Sequence, residues 1–265
     1  MKRLAAVLAL ATLAGCETAR PSDPPLELFE WERGLAVRAR GDTPMAMYLW
    51  FWEWSLFETQ ERGDVSAARH DWPREVAPDG RSGSVSAEGF ALRARVVDDG
   101  VELELAVENR SDHDWPEEAA IIACFSPGPE DSRTFEMGHH LKTYLVGEHG
   151  LERFQDRAMH FNAALLPRLR ERSPELHFDF SNRWASSPRS SHAGLLLRES
   201  LSGGWTSGVA WEEWVAVQAH NPWLCMHVAT KVGPLARGAS KTVRGKLFLF
   251  PGDRAEGLKR FHRAF

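Results

Sequence analysis

The sequence predicts a mainly β fold: a large antiparallel two-sheet sandwich with a short C-terminal helix. Three observations lead there. Apolar and polar residues alternate in many short runs, which is the mark of half-buried strands. Gly, Pro and Asp separate these runs at short intervals. A clean helical stripe closes the chain.

The chain opens "MKRLAAVLALATLAGC". Lys2 and Arg3 precede an apolar run from Leu4 to Ala14. That run is shorter than the roughly 18 residues a spanning helix needs, so residues 1–15 read as an export signal. Its end, "LAGC", resembles the lipobox of bacterial lipoproteins, which implies lipidation at Cys16 and the bilayer as a partner through that lipid. Residues 16–25 then form a polar, proline-rich tether, and residues 26–265 form one β-sandwich domain. The expected location is the periplasm or the outer-membrane face.

The full chain has a formal charge of −5. Losing Lys2 and Arg3 with the signal takes it to −7, which argues against nucleic acid or anionic lipid as the main partner. Cys124 and Cys225 then remain. In an exported chain the pair reads as one disulfide or as two buried thiols.

Tyr48–Trp54 reads "YLWFWEW", a strand carrying one acid, Glu53. By parity Tyr48, Trp50, Trp52 and Trp54 share one face, and Leu49, Phe51 and Glu53 the other. "GFALRARVVDDGVELELAVENRS" is a hairpin. Leu92, Ala94 and Val96 alternate with Arg93 and Arg95, Asp99-Gly100 signals the turn, and Val101, Leu103, Leu105 and Val107 alternate with acids. "AAIIACFSPG" is a buried strand. Further strands are expected at Thr143–Val146, Leu176–Phe180, Gly194–Glu199, Leu224–Val232 and Thr242–Phe250. A helix over Asn162–Arg172 would be interrupted by Pro167. Trp211–Gln218 suits a helix or a strand. Asp253 is the expected N-cap of the last helix, with Leu258, Phe261 and Phe265 on its apolar stripe. "HDWPRE" at His70–Glu75 is echoed by "HDWPEE" at His113–Glu118, which suggests a repeated strand entry with a core Trp.

Length and architecture are similar to those of the galactose-mutarotase-like supersandwich, an expectation about fold alone. The stretches "DWPE…C" and "HNPWLCMH…VGPL…G" resemble exported bacterial β-sandwich proteins, a resemblance that implies no activity.

The chain lacks a phosphate loop, a G-x-S-x-G elbow, H-E-x-x-H and C-x-x-C. No cofactor is expected. The His139-His140 pair could join a metal site only with ligands from other strands, and no metal is assigned. The stretch Ala210–Gly233 holds "WEEW" and "HNPWLCMH". Glu212 and Glu213 read as a solvated pair or as acids beside rings. His227 reads as a core histidine, and His220, in the turn, is freer to serve a site. Trp223, Cys225 and His227 share one strand face.

Acid–base chemistry on sugars needs two carboxyls, or a His and a carboxyl, on one cleft. Candidate catalytic residues are Glu53, His220 and His140. Trp50, Trp52, Trp54 and Trp223 are candidate sugar-stacking residues. The expected function is an anchored exported protein acting on carbohydrate as a hydrolase, lyase or epimerase. The alternatives are a non-catalytic glycan-binding lipoprotein and a structural or assembly lipoprotein.

Overall fold

The computed structural model describes residues 25–31, 34–39, 46–54, 73–126, 141–177, 185–201, 203–221 and 225–265. Cys16, its tether, His139, His140 and Trp223 lie outside the described residues.

Two antiparallel sheets dominate, as expected. The first has seven strands, in spatial order β1 (Leu26–Trp31), β2 (Gly34–Ala39), β3 (Ala46–Trp54), β8 (Ala120–Ser126), β15 (Met226–Lys231), β14 (Trp214–Gln218) and β11 (His160–Phe161). The second has nine: β10 (Gly150–Arg153), β9 (Thr143–Gly147), β12 (Leu195–Glu199), β13 (Trp205–Trp211), β16 (Ser240–Pro251), β7 (Gly100–Glu108), β6 (Phe90–Val97), β5 (Ser82–Ala87) and β4 (Arg74–Val76).

The main core lies between the sheets. Leu35, Val37, Phe125, Val217 and Val228 from the first sheet join Leu92, Leu105, Leu196, Val209, Trp211 and Leu247 from the second. The β6–β7 hairpin shows why the pattern works. Its apolar set is buried, while Arg93 pairs with Glu104 at 2.8 Å and Arg95 with Glu102 on the outer face. The loop itself is Asp98-Asp99, because Val97 already pairs with Gly100. Gly100 begins β7 at φ 157°, and a Cβ there would collide with the Leu247 carbonyl of β16.

Among the described residues, two helices cover the outer faces. The first, α1 (Leu166–Arg172), carries Pro in its first turn. Pro167 therefore starts the helix, where its missing N–H costs nothing, and does not interrupt it. Leu169 packs with Ile122, Phe161, Val215 and Ala216 on the seven-stranded sheet. The second, α2 (Arg254–Ala264), is capped as expected, with the Asp253 side chain accepting from the Glu256 N–H at 2.9 Å. Leu258 and Phe261 pack on Leu195, Leu197, Phe248 and Phe250. Both β16 phenylalanines are fully buried, worth about 1.5–3 kcal/mol each.

Two expectations change in the strands. Trp211–Gln218 is neither one helix nor one strand: Trp211 ends β13, Glu212-Glu213 form the turn, and Trp214 opens β14. Leu176 is no strand residue; it is buried in an irregular turn at φ 55°, and 178–184 lie outside the described residues. The second "HDWP" copy does anchor the core, with Trp115 buried and bridged to Leu235 ahead of β8.

Candidate functional site

Two polar regions stand out, and charge balance separates them. The first is a groove of about 1180 Å³ on the outer face of the nine-stranded sheet, lined in part by Arg93, Arg95, Glu102, Glu104, Arg244 and Lys246. Its charges neutralise each other. Besides the hairpin pairs, Lys246 meets Asp99 at 2.6 Å and Arg244 meets Glu212 at 2.8 Å. No histidine or tryptophan is among its described lining residues. It is a ladder of charges paired with one another.

The second region lies where β11 meets β14 at the end of the seven-stranded sheet. It begins with "QDRAMHF". Asp156 Oδ1 accepts from the Ala158 N–H at 3.0 Å, a local turn typical of Asp, and the chain then enters β11. There His160, 0% exposed, places Nε2 at 2.9 Å from the same Oδ1. Asp156 Oδ2 accepts from Arg189 at 3.2 Å, and Arg189 also lies 3.6 Å from Glu152. The Phe154 ring lies 4.7 Å from the imidazole.

Burial alone would raise the Asp156 pKa. Hydrogen bonds from His160, Ala158 and Arg189, with the histidine's charge, outweigh it and leave the carboxyl below its usual value. Burial likewise wins at His160, which is held below the ordinary imidazole value despite Asp156. At neutral pH the pair is therefore a carboxylate and a neutral imidazole. A carboxylate only accepts, so Nε2 carries the proton and Nδ1 the lone pair. Nδ1 is buried with no hydrogen-bond partner among the described residues.

His160 pairs with Val217 across the two antiparallel strands. Ahead of His160 the chain bends at 156–158, and the charges of Arg157 and Asp156 act on His220 just beyond β14. His220 is half-buried. Burial lowers its pKa, the positive charge of Arg157 lowers it further, and Asp156 opposes them.

A buried amide network holds the turn that carries His220. Gln218 Nε2 donates to the His220 carbonyl at 3.1 Å. Its Oε1 accepts from Asn221 Nδ2 at 3.1 Å and from His227 Nδ1 at 2.9 Å. Asn221 also clasps the backbone of Cys225, accepting from its N–H at 3.1 Å and donating to its carbonyl at 2.8 Å. The acceptor role of Gln218 Oε1 fixes the proton of His227 on Nδ1. His227 is thus a buried, hydrogen-bonded histidine of the sheet.

The seven-stranded sheet brings some of the sequence-predicted residues into one row. Trp50 of β3 is level with Cys124 of β8, Cys124 with His227 of β15, and His227 with Gln218 of β14. The row spans three inter-strand steps, about 14 Å. Glu53, on β3, and His220, just beyond β14, are thus separated by at least that span in the backbone. Between Trp50 and Trp54 the register shifts, since Trp54 is level with Ile122. Trp52 and Glu53 sit in this bulge, which interrupts the simple two-residue alternation.

The same register puts Cys225 two positions out of step with Cys124, a diagonal of about 7–8 Å in a typical sheet. A disulfide there would need one strand to slide against the other. Glu212 and Glu213 are placed apart from the site. Glu212 takes the Arg244 N–H and Nε at 2.7 and 2.9 Å, and Glu213 takes Lys241 at 2.7 Å. Both are anchored to β16 at the far end of β14.

Sequence reasoning missed Asp156, Arg157, His160 and Arg189. The one local signal is an Asp four residues before a His, which has no meaning until pairing with β14 brings His220 beside it. Among the described residues no group of three His, Cys, Asp or Glu could hold a metal, and no helix is long and apolar enough to cross a membrane.

No protein-family model and no curated protein matches the chain. Similar solved structures include a galactose mutarotase-like protein from Lactobacillus casei, 13% identical with a TM-score of 0.38, covering 85% of this chain and the whole of the other. A proposed aldose 1-epimerase from Escherichia coli is 12% identical with a TM-score of 0.34, covering 72% of this chain and 70% of the other. Likenesses of this size leave the architecture to be read from the strands themselves.

Proposed function

We propose that this chain is an exported lipoprotein, anchored through Cys16, that acts on carbohydrate by acid–base chemistry at the β11–β14 end of the seven-stranded sheet. One observation carries the reading: a part-exposed histidine, His220, held in its turn by Gln218 and within electrostatic reach of Asp156 and Arg157. A histidine held neutral at pH 7 can take a proton from a sugar hydroxyl or an activated carbon. Asp156 would stabilise the imidazolium that forms. His160, behind it, is a positioning residue, because its ring is buried and its Nε2–H fixes the carboxylate.

A second reading, glycan binding without turnover, is favoured by the tryptophan-rich β3 in the same sheet, since sugar rings stack on Trp faces without any acid. Neutral and acidic oligosaccharides incubated with the mature protein separate the two. Proton NMR that shows product or accelerated exchange supports catalysis. Binding with unchanged sugar supports the second reading, and no binding of any saccharide contradicts both. Metabolic labelling with palmitate should mark the wild type and leave Cys16→Ser unlabelled; equal labelling would contradict the anchor.

A further inference from the structure

We infer that the groove on the outer face of the nine-stranded sheet is a second, non-catalytic binding site, and that it takes a neutral oligosaccharide. The inference goes beyond the proposed function and uses none of its residues. The groove has α2 for one wall, β4 and the loop after it for the other, and β5, β6, β7 and β16 for its floor. Strand register lays two rows of side chains across that floor. Ser84 of β5 is level with Arg93 of β6, Arg93 with Glu104 of β7, and Glu104 with Arg244 of β16. Two residues along the strands, about 7 Å away, Ser82, Arg95, Glu102 and Lys246 form a second row in the same strand order. All eight residues line the groove. Each row spans three inter-strand steps, about 14 Å.

Both rows run hydroxyl, cation, acid, cation, and their ion pairs leave hydrogen-bonding capacity unused. Arg93 spends a single N–H donor on Glu104, and Arg95 a single one on Glu102. Among the described residues, the second carboxylate oxygen of each glutamate takes no hydrogen bond. The two arginine side chains are 73% and 69% exposed, so their remaining donors are open to a ligand. A charged ligand meets cations and acids that already neutralise one another, and it gains little without displacing a partner. A hydroxyl group both donates and accepts. It can accept from the guanidinium and donate to the carboxylate of one pair without parting them. Phe265 supplies the apolar contact. It lines the groove, is 40% exposed, and has its ring 5.3 Å from that of Phe261, which packs on the sheet. The C–H face of a sugar stacks on such a ring. At about 1180 Å³ the groove exceeds the roughly 300–1,000 Å³ of a small-molecule pocket, which suits an oligomer better than a single sugar.

The test titrates the mature chain in a calorimeter with neutral trimers of glucose, galactose and N-acetylglucosamine, and with a galacturonate trimer, at low and high salt. At least one neutral trimer should bind more tightly than galacturonate, with an affinity that salt changes by less than about twofold. The joint substitution Arg93→Ala and Glu104→Ala should weaken that binding roughly tenfold or more, because charge-assisted hydrogen bonds are lost. Phe265→Ala should weaken it about 2- to 10-fold. Thermal melts of these variants should match wild type, since all three side chains are exposed. His220→Ala, on the other sheet, should leave binding at the groove unchanged. Failure of every neutral trimer to bind, a salt-sensitive preference for galacturonate, or full binding in the Arg93 and Glu104 double variant would overturn the inference. The last two results leave the carbohydrate reading standing, and turnover by wild type against His220→Ala decides that reading separately.

Discussion

His160 donates from Nε2 to Asp156 Oδ1 at 2.9 Å, and both groups are held below their ordinary pKa values. This pair makes the fold sensitive to acid. His160 stays neutral in the folded chain because burial opposes its charge, while Asp156, Arg189 and Glu152 supply the nearby charges. The unfolded chain takes up a proton near pH 6.5, so stability is complete above that value and falls as pH drops toward the lower folded pKa. Asp156 adds loss of the same sign at lower pH, as its carboxylate is protonated. Melting temperature should therefore decline from pH 7 to pH 5, and His160→Gln should flatten that slope. An unchanged slope in the variant would remove His160 as the cause.

Gly245 should tolerate no side chain. It is level with Trp211 across β13 and β16, and a Cβ there would lie 2.6 Å from the indole. Trp211 is 1% exposed and cannot withdraw. Gly245→Ala should destabilise by about 1–3 kcal/mol, lowering the melting temperature by several degrees in thermal denaturation. A neutral substitution would mean that Trp211 has room the packing does not show.

Asn221 should matter more for the His220 turn than its size suggests. It is 0% exposed and bonds Gln218 and both backbone groups of Cys225. Asn221→Ala leaves those groups unsatisfied, at a cost of about 1–3 kcal/mol for each one that stays buried. Hydrogen exchange should accelerate at 218–227 and spare β6 and β7. Protection equal to wild type would show that the turn is held elsewhere.

The cap of the last helix gives a smaller effect. Asp253→Ala should lose about 0.5–2 kcal/mol, because the Glu256 N–H loses its acceptor. Circular dichroism during a thermal melt would register it, and an unchanged melt would contradict the capping role.

What the sequence revealed and what it hid follow from contact range. The β6–β7 hairpin was legible because Arg93 and Glu104, or Leu92 and Leu105, alternate within one short stretch. The last helix was legible because its cap and stripe are local. Pro167 misled because the same residue breaks a helix or starts one according to where the chain enters. The candidate site was half legible. His220 could be picked from its turn, but Asp156 and Arg157 become its neighbours only through β11–β14 pairing across more than fifty residues. Strand order, which is not encoded locally, put Glu53 of β3 three strands from β14, beyond which His220 lies.

The central claim is that His220 performs proton transfer on a bound saccharide. The most direct measurement is a proton NMR time course of the saccharide panel with wild type and His220→Ala, alongside calorimetry on the same samples. The variant should bind as wild type does and lose about 10²–10⁴-fold in turnover. Full turnover in His220→Ala, or a wild type that binds saccharide and never alters it, would contradict the claim.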